Sequence, residues 1–397
     1  MRVLVICSPY ASHLMPMVPL VWGLRARGHD AVVLGQPDIM ATAHAAGLPS
    51  VSVGDVFDVN EVFHFLPPGL RPIELGAGQA PEDGWTSPAA ASDYAPWIYH
   101  SKYVLEPYLR FARRWRPDLV LADSLDFSGL IIGGVLSIPV VQHRWGAEPM
   151  TPAALATAKT MLGGRAVRHG LPGVPDPDLA LAPSSPAWAV PESSGDVLVR
   201  PMPYNGGGEI PAWVRDKDRP RRMCVSFGLS MIRLNGLSLV RTIAEACDGL
   251  VDAEAVVTLD GRHTAELGPV PDSVRVVAPM PVNALMGVSD VACHHGGGGS
   301  ALTALAVGIP QLMLPQMMDE HVRCERIEAS GAGLMLGDAA AQNSPATLRA
   351  AIESLLGDDR FRKAAVTARD EAEKLPSPAQ VAQMLENIAA PHGRRAR

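Results

Sequence analysis

The chain has few cysteines, and they form none of the spacings that bind metals or build a disulfide framework. Five cysteines are scattered along 397 residues without a C-x-x-C pair. Structural zinc sites and thioredoxin-like motifs need such pairs, and small secreted domains need an even, dense set. We therefore expect reduced thiols in a cytoplasmic protein.

Excess basic charge and long apolar runs are also missing. The formal net charge is -7 and the sequence pI is about 5.9, so no basic face for nucleic acid or membrane surfaces is expected. The apolar stretch 130–141 is interrupted by two glycines and a proline and is too short to span a bilayer. The run 3–7 is shorter than a signal-peptide core. We predict binding to neither nucleic acid nor membrane, and a solvated tail containing Arg394, Arg395 and Arg397.

Two common nucleotide-binding motifs are absent. Residues 8–14, which follow the first predicted strand, include no glycine, whereas dinucleotide-binding folds place G-x-G-x-x-G there. The P-loop pattern G-x-x-x-x-G-K-[ST] does not occur in the chain. These absences disfavour an NAD-dependent oxidoreductase and a P-loop ATPase.

The chain does contain the alternation of apolar runs and amphipathic segments that builds parallel sheets. Residues 3–7 predict a buried strand, 14–27 a helix and 31–34 a second strand, which together form a βαβ unit. The alternation continues near 118–142 and starts afresh after residue 220. The second series has strands at 223–227, 253–259, 274–277, 288–293 and 309–314, and helices at 237–247, 282–286 and 300–307. Two such series predict two doubly wound α/β domains.

A linker separates the two series. Residues 199–222 are rich in proline, glycine and charge, which is typical of a domain boundary. A last helix is predicted over 378–389, after a Pro-Ser-Pro break, and it can pack on either domain. We divide the chain into an N-terminal domain (1–205), a linker (206–220), a C-terminal domain (221–375) and a final helix with tail (376–397).

The most unusual stretch is His294-His295-Gly-Gly-Gly-Gly-Ser300, between a predicted strand and a predicted helix. Four consecutive glycines are costly to order because glycine loses the most backbone freedom on folding. A helix start presents unpaired N–H groups and a positive dipole that bind phosphate. Ser300 is suited to cap this helix or to donate its hydroxyl. The stretch predicts a phosphate site, with an unusually tight turn as the alternative.

Several ordered motifs resemble those of the GT-B nucleotide-sugar glycosyltransferases, in the family of bacterial antibiotic and macrolide glycosyltransferases and plant UDP-sugar enzymes. In chain order they are SHLMPMVPLVWGLRARGH, PDLVLADS, VRPMPYNG, CVSFG, VAPMPVNALM and HHGGGGS followed by GIPQLMLPQMMDEH. The resemblance extends over nearly the whole chain. It implies two Rossmann-like domains facing each other across a cleft, with the donor on the C-terminal domain and the acceptor on the N-terminal domain.

The resemblance also implies donor-binding residues. Val277 and Ala278 match the positions that hold the nucleotide base, and plant relatives carry tryptophan at the first, so base stacking is weaker or different here. Asp319 and Glu320 match the pair that binds donor hydroxyls, with glutamate replacing the usual glutamine. The implied diphosphate contacts are Ser226, His295, Gly296, Gly297, Gly298, Gly299 and Ser300.

His13 and Asp123 are the candidate catalytic pair. Each follows or ends a predicted strand, at the carboxyl edge where open α/β sheets bind ligands. Position alone also allows an exposed loop histidine and a turn-forming or helix-capping aspartate. The resemblance places His13 on the catalytic base and Asp123 on the aspartate that orients it, which suits the way a carboxylate supports an imidazolium. Asp126 is the second candidate for this carboxylate.

Aromatic residues are concentrated in one region. Eleven of the chain's twenty Phe, Trp and Tyr residues lie between residues 57 and 115, and residues 51–101 are rich in Pro and Gly without firm periodicity. Such a loop-rich insertion can line an apolar acceptor pocket or form a minor cluster under loops. The candidate acceptor-binding residues are Phe63, Phe65, Trp85, Trp97 and Tyr99.

No metal or other cofactor is predicted. Two D-x-D strings, at 176–178 and 216–218, lie in linker-like stretches rather than at strand ends, which disfavours a metal site there. The helix start and His295 are sufficient to neutralise a leaving diphosphate.

These features predict an inverting glycosyltransferase that moves a deoxysugar from a nucleoside diphosphate to a hydroxyl of an apolar, polyketide-like aglycone. The likeness to antibiotic enzymes, which includes the motif at 203–206, favours a dTDP-sugar over a UDP-sugar, and closure about the linker would join the domains. Some relatives need an auxiliary activator protein, and a homodimer is also compatible. Two alternatives remain open: a catalytically silent nucleotide-sugar-binding partner subunit and a GT-B sugar-nucleotide epimerase.

The glycine motif generates a first testable prediction. Without added metal, dTDP or UDP should bind the wild-type protein, and His295→Ala should weaken binding by about 1–3 kcal/mol because a charge-assisted hydrogen bond is lost. Isothermal titration calorimetry of both nucleotides measures the difference. Absence of binding by either nucleotide would make the turn purely structural.

Overall fold

The computed structural model describes residues 1–59, 61–62, 88–146, 148–191 and 194–390. These residues form two parallel β-sheets. The first consists of β1 (Arg2–Ile6), β2 (Asp30–Gly35), β3 (Ser50–Ser52), β4 (Leu119–Asp123), β5 (Val140–His143), β6 (Leu179–Pro183) and β7 (Val197–Val199). The second consists of β8 (Arg221–Val225), β9 (Ala253–Thr258), β10 (Val274–Val277), β11 (Val291–His294), β12 (Gln311–Met313) and β13 (Gly333–Met335).

Both sheets are doubly wound. The strand order is β3-β2-β1-β4-β5-β6-β7 in the N-terminal sheet and β10-β9-β8-β11-β12-β13 in the C-terminal sheet. The order reverses direction between β1 and β4 and again between β8 and β11, which creates the crevices where open α/β sheets bind ligands. The prediction of two doubly wound α/β domains is confirmed.

Helices cover both faces of each sheet. In the N-terminal half they are α1 (Ala11–Leu14), α2 (Val18–Ala26), α3 (Pro37–Ala45), α4 (Pro88–Trp115), α5 (Ser128–Leu136) and α6 (Met150–Arg168). In the C-terminal half they are α7 (Gly228–Asn235), α8 (Ser238–Cys247), α9 (Gly261–Leu267), α10 (Val282–Met286), α11 (Gly298–Val307), α12 (Met318–Ala329), α13 (Ala339–Gln342), α14 (Pro345–Gly357), α15 (Asp359–Ala372) and α16 (Pro378–Ala389). In the ranges that the structure describes, none of these is long and apolar enough to cross a membrane.

The first predicted helix is interrupted. Instead of one helix over 14–27, the chain forms α1, a 3-10 turn over Met15–Met17 and then α2. Pro16 lies in the first turn of the 3-10 segment and Pro19 in the first turn of α2. Proline has no N–H to donate inside a helix but is well tolerated in a first turn, so each proline starts a new segment.

The region predicted to be loop-rich contains the longest described helix. Residues 88–101, part of the supposed loop 51–101, belong to the 28-residue α4 despite Pro96 and Pro107 inside it. Its buried side chains recur every three or four residues and pack into the core beside α5 and α6. They are Tyr94, Trp97, Ile98, Val104, Leu105, Tyr108, Leu109 and Ala112. Packing of this face stabilises the helix despite the two prolines. Because this packing is not visible in the local sequence, the sequence pattern predicts a loop here.

The final helix returns to the N-terminal domain. The apolar face of α16 packs on α2, with Val381, Ala382 and Leu385 buried in the same cluster as Val21 and Leu24. A Cβ atom at Gly23 would lie 3.0 Å from the carbonyl oxygen of Pro378, so glycine permits this close approach. On the helix surface, Glu386 accepts hydrogen bonds from Arg27 and faces His29 at 2.7 Å.

This packing generates a stability prediction. Leu385→Ala should lower the free energy of unfolding by about 2–5 kcal/mol, because it leaves a cavity between α16 and α2. Gln383→Ala on the exposed face of the same helix is the matched control, with a change within about 0.5 kcal/mol. Urea unfolding followed by circular dichroism measures both. Equal values for the two variants would contradict docking of α16 on the N-terminal domain.

Candidate active site

A buried carboxylate lies at the carboxyl end of β4. Asp123 is 1% exposed, and its Oδ2 is 3.0 Å from Nδ1 of His13. The Ser8 hydroxyl donates a short hydrogen bond to the same oxygen, and the Ser8 N–H donates to it at 3.4 Å. Burial by itself would raise the pKa of Asp123, but the His13 charge and the hydrogen bonds from His13, Ser8 and Leu125 hold it below its ordinary value. The aspartate therefore remains ionised next to the histidine.

His13 is oriented by this carboxylate and by two tryptophans. The residue lies on α1, directly after β1. Its imidazole stacks on Trp145 at 4.5 Å between ring centroids and on Trp97 at 5.4 Å. Because Nδ1 faces a carboxylate, Nδ1 carries the hydrogen of the neutral ring, and Nε2 is the nitrogen able to accept a proton. Such an arrangement can take up a proton at Nε2 while the carboxylate keeps the ring oriented.

Asp126, the second candidate for the orienting acid, has a different position. Its Oδ1 accepts hydrogen bonds from the backbone and hydroxyl of Ser128 and from the Gly129 N–H, at the start of α5. Its Oδ2 lies 3.9 Å from Nδ1 of the buried His100. Burial raises the pKa of Asp126 to about 6, with the Asp123 charge adding to the effect and the Ser128 bonds opposing it. Of the two aspartates, the structure places Asp123 against His13.

The glycine stretch connects β11 to α11. The helix begins at Gly298, two residues earlier than predicted, so the connection comprises only His295, Gly296 and Gly297. Gly297 occupies the N-cap position and no side chain caps the helix, so Ser300 lies inside the first turn rather than at the cap. Three small residues at the start leave the unpaired N–H groups unobstructed, which suits an anion.

Close packing explains three of the four glycines. A Cβ at Gly296, whose φ is +87°, would lie 2.4 Å from the Cys324 sulfur, and one at Gly297 would lie 2.3 Å from Nε2 of His295. A Cβ at Gly298 would lie 2.2 Å from the carbonyl oxygen of Trp145. At Gly299 nothing lies within 4 Å. The tight turn and the helix start therefore occur together, so the two interpretations of this stretch are compatible.

The two neighbouring histidines differ in role. His294 is fully buried and faces Gln311 at 2.9 Å through Nε2, and its Nδ1 accepts a hydrogen bond from the Gly296 N–H at 2.9 Å. It therefore holds the turn in place. His295 lies beside the turn, with Nε2 3.5 Å from Oε1 of Glu320. Burial lowers the pKa of His294 to about 4 and that of His295 to about 3, so both rings are neutral in the ligand-free protein.

The acidic pair at the start of α12 is already engaged. Asp319 Oδ2 accepts hydrogen bonds from Arg323 at 2.9 Å and from the Trp145 indole N–H at 3.3 Å. Arg323 also donates to the carbonyl oxygen of Gly296 at 2.7 Å. Glu320 is buried and accepts from the backbone N–H groups of residues 316 and 317. One arginine thus ties the predicted sugar-binding acid to the glycine turn.

The remaining predicted donor residues lie at the same edge of the C-terminal sheet. Ser226 follows β8, and its N–H donates to the carbonyl oxygen of Cys293 at 3.0 Å. Val277 is the last residue of β10, and Ala278 follows it in an exposed position. Both strand ends lie at the same edge of the sheet as the glycine turn, because the strands are parallel.

The predicted acceptor residues are only partly within the described chain. Phe63, Phe65 and Trp85 lie outside the described residues. Trp97 is buried and reaches His13, whereas Tyr99, two residues along α4, is 56% exposed on the outer surface. The structure brings one of these two aromatics to the candidate base and leaves the other away from it.

Sequence reasoning missed Ser8, Trp145 and Arg323. Ser8 follows β1 at the ligand-binding edge, and Arg323 is four residues after Asp319 on one helix, a spacing that favours an ion pair. Trp145 had no sequence signal, because it reaches His13 through the folding of the N-terminal domain and reaches Asp319 and Gly298 through the packing of one domain on the other. In the part of the chain that the structure describes, no group of three His, Cys, Asp or Glu side chains is placed to hold a metal ion.

Comparison with known proteins covers the whole chain. Residues 22–228 match the N-terminal domain, and residues 241–388 the C-terminal domain, of the family described as erythromycin biosynthesis protein CIII-like. The aklavinone 7-beta-L-rhodosaminyltransferase of Streptomyces galilaeus is 31% identical over 100% of this chain and 97% of its own length. The 3-alpha-mycarosylerythronolide B desosaminyl transferase of Saccharopolyspora erythraea is 29% identical over 100% of this chain and 99% of its own.

Solved structures show the same architecture. The spinosyn rhamnosyltransferase SpnG complexed with thymidine diphosphate has a TM-score of 0.85 and 34% identity over 98% of this chain and 100% of that one. SpnG complexed with spinosyn aglycone has a TM-score of 0.86 and 34% identity over the same shares. The predicted resemblance and the predicted GT-B fold are both confirmed.

The raised pKa of Asp126 generates a pH prediction. Its folded pKa, about 6, exceeds the ordinary value of 3.8, so the stability it contributes is complete below about pH 4 and is lost as the pH rises through 6. Asp126→Asn keeps an oxygen for Ser128 and has no charge to bury. Above pH 6 this variant should be more stable than wild type by about 1–3 kcal/mol.

Urea unfolding at intervals from pH 4 to 8 measures this difference. Asp118→Asn is a useful control, because Asp118 accepts a backbone hydrogen bond near the opposite end of the sheet. A constant difference between wild type and Asp126→Asn across the range would contradict a protonated Asp126.

Proposed function

Since the chain belongs to the erythromycin biosynthesis protein CIII-like glycosyltransferases, we propose that it transfers a deoxysugar from a dTDP-linked donor to a hydroxyl of an apolar, polyketide-like aglycone, with inversion at the anomeric carbon. The chain is a sugar-transferring enzyme of the antibiotic-biosynthesis type. The donor nucleotide, the acceptor and the stereochemistry are the proposed parts of this assignment.

The proposal rests on the hydrogen-bonded series of Ser8, Asp123 and His13. A hydroxyl acceptor needs a group that takes its proton as the new bond forms, and Nε2 of His13 is free to do this. Asp123 would then stabilise the imidazolium, as a buried carboxylate does in other acid–base pairs. A silent partner subunit would have no use for such a series, which favours the enzyme over that alternative.

The donor would lie on the C-terminal domain, with its diphosphate at the start of α11. The N–H groups after Gly297 and the imidazole of His295 would stabilise the charge that develops on the leaving diphosphate. His13 lies across the interface from this turn, and Trp145 touches both sides. The acceptor would therefore attack from the face opposite the leaving group, which inverts the configuration.

The chemistry of relatives supports the finer assignments. SpnG and SsfS6 have structures complexed with thymidine diphosphate, and VinC has one in complex with dTDP. Three relatives are named as the desosaminyl transferase of 3-alpha-mycarosylerythronolide B, the rhodosaminyltransferase of aklavinone and the mycaminosyltransferase of tylactone. The stacked rings of Trp97 and Trp145 around His13 would offer an apolar wall beside the base, which suits such acceptors.

The positions of His13 on the N-terminal domain and of the glycine turn on the C-terminal domain support a separate role for each domain. We propose that residues 1–205 bind the acceptor and residues 221–375 the donor, while the segment 206–220 acts as the hinge. Closure would bring the acceptor hydroxyl to the anomeric carbon and exclude water. The helix α16, docked on α2, would move with the acceptor domain.

Replacement of His13 tests the proposed function. His13→Ala should lower product formation from a dTDP-deoxysugar and a polyketide aglycone by about 10²- to 10⁴-fold, the usual worth of a general base. The Kd for dTDP should change by less than about threefold, because the base does not contact the nucleotide. Chromatography of products and calorimetry of dTDP measure the two effects, and NMR of the product identifies the anomeric configuration.

His44→Ala is the control, since His44 is exposed on α3, away from the strand ends. Undiminished turnover by His13→Ala would refute the assigned base. Conversion of the donor sugar in the absence of any acceptor would instead support an epimerase.

A further inference from the structure

Glu320 occupies an enclosed position between a helix start and a histidine. The side chain is 4% exposed. Its Oε2 accepts hydrogen bonds from the N–H groups of Gln316 and Met317, at 2.9 and 3.0 Å. Its Oε1 lies 3.5 Å from Nε2 of His295. The glutamate therefore faces the histidine of the glycine turn.

Among the described residues, no lysine or arginine forms an ion pair with this carboxyl group, although the nearby Arg323 charge favours its ionised form. Arg323, on the same helix, donates from Nη2 to Asp319 and from Nη1 to the carbonyl oxygen of Gly296. Asp319 adds negative charge next to Glu320, and the Cys324 thiol is buried nearby. From β11, His294 is occupied by Gln311 and Gly296. Within the described ranges, the one basic side chain within ion-pair distance of Glu320 is thus His295.

Two kinds of arrangement satisfy this pair, and they differ in whether the carboxyl group carries a proton. An ionised Glu320 would need an imidazolium or an Nε2–H beside it. A protonated Glu320 would donate its O–H to Nε2. A buried carboxylate without a strong partner costs several kcal/mol, which favours the second arrangement.

We propose that Glu320 is protonated in the resting enzyme, donates its O–H to Nε2 of His295, and thereby fixes His295 as the Nδ1–H tautomer that donates to the donor diphosphate. Glu320 is then a positioning residue for His295 rather than a direct ligand of the sugar hydroxyls. The effect on donor binding rests on the proposed function, whereas the position of the proton does not.

The electrostatics agree with this geometry. Burial raises the pKa of Glu320 well above its ordinary range, and the Asp319 charge adds to the effect. Burial lowers the pKa of His295 to about 3. Both shifts favour the arrangement in which the shared proton resides on the carboxyl group. Nδ1 of His295 is buried and has no hydrogen-bond partner among the described residues, so its N–H is uncommitted.

Protonation would let glutamate take the place of the usual glutamine at position 320. A protonated carboxyl group presents one acceptor oxygen and one O–H, as an amide presents one oxygen and one N–H. Both can accept from residues 316 and 317 and donate to His295. The two differ only above the folded pKa of Glu320, where the acid loses its proton to solvent and the amide does not.

Loss of that proton should reverse the tautomer. An ionised Glu320 accepts a hydrogen bond from Nε2–H, and a neutral imidazole with hydrogen on Nε2 has a lone pair on Nδ1. Nδ1 then has no hydrogen to donate to a diphosphate. The new negative charge on Glu320 also repels the diphosphate. Donor affinity should therefore fall as the pH rises through the folded pKa of Glu320, and Glu320→Gln should abolish this fall.

Nitrogen NMR of the nucleotide-free protein tests the proton position. Long-range ¹H–¹⁵N correlations of labelled imidazoles distinguish the two tautomers and the imidazolium, and the His295→Asn variant identifies the His295 signals by their loss. We expect the Nδ1–H tautomer at pH 7 in wild type and in Glu320→Gln. An Nε2–H tautomer or an imidazolium in wild type at pH 7 would overturn the proposal.

Calorimetry of dTDP between pH 7 and 9.5 tests the consequence. Wild-type Kd should rise at least tenfold as the pH passes the point at which the His295 tautomer reverses in the NMR spectra, and that of Glu320→Gln less than threefold; parallel curves through that point would overturn the linked effect. Titration of dTDP itself affects both proteins equally. If dTDP binds neither protein at any pH, the proposed function fails, but the tautomer measurement still decides the position of the proton.

Thermal unfolding at pH 8 provides a check that is independent of any ligand. A protonated buried acid loses stability as pH rises above its ordinary pKa, so Glu320→Gln should unfold at the same or a higher temperature than wild type. A lower unfolding temperature would indicate an ion pair between Glu320 and His295, and would count against the proposal.

Discussion

The cost of burying carboxylates governs both halves of the site. Four acidic side chains, Asp123, Asp126, Asp319 and Glu320, are buried or nearly so at the facing edges of the two sheets. Each is compensated in its own way. Asp123 keeps its charge because His13 and Ser8 bind it, and Asp319 forms an ion pair with Arg323. For Asp126 and Glu320, which have no strong cationic partner, burial favours the protonated form. These carboxyl groups thus differ in whether a bonded partner or a proton compensates for their burial.

The contact between the domains imposes the second constraint. The carbonyl of Trp145 approaches α11 so closely that Gly298 has no room for a side chain, and the Trp145 indole binds Asp319 while its ring covers His13. Further contacts between the halves join Asn205 to Thr303 and Trp188 to Ser330. The glycine run is therefore shaped from two sides, by the neighbouring domain and by Cys324 beneath the turn. Its conformational cost is offset by packing that larger residues would prevent.

Much of the fold was predictable because its signals are local. Continuous β-branched runs bounded by glycine and proline identify strands buried on both faces, and the predicted strands 274–277 and helices 282–286 and 378–389 coincide with β10, α10 and α16. Boundaries shifted where proline restarts a helix, as at Pro16 and Pro19, and where glycine enters one, as at Gly298. The helix α4 was missed because packing of Tyr94 and its neighbours outweighs the two internal prolines, and packing is not a local property.

The sequence by itself determined the α/β class, the two-domain organisation, the family and the candidates His13 and Asp123, because strand ends and glycine turns follow from periodicity and motif order along the chain. Only the tertiary structure decided which aspartate meets His13, since Asp123 and Asp126 are three residues apart and differ only in the direction that the end of β4 gives them. It also decided the parts played by Ser8, Trp145, Arg323 and Glu320. Those side chains acquire their roles from groups that are distant in sequence. Because they are buried beside one another, their surroundings rather than their residue type set their charge and hydrogen bonding.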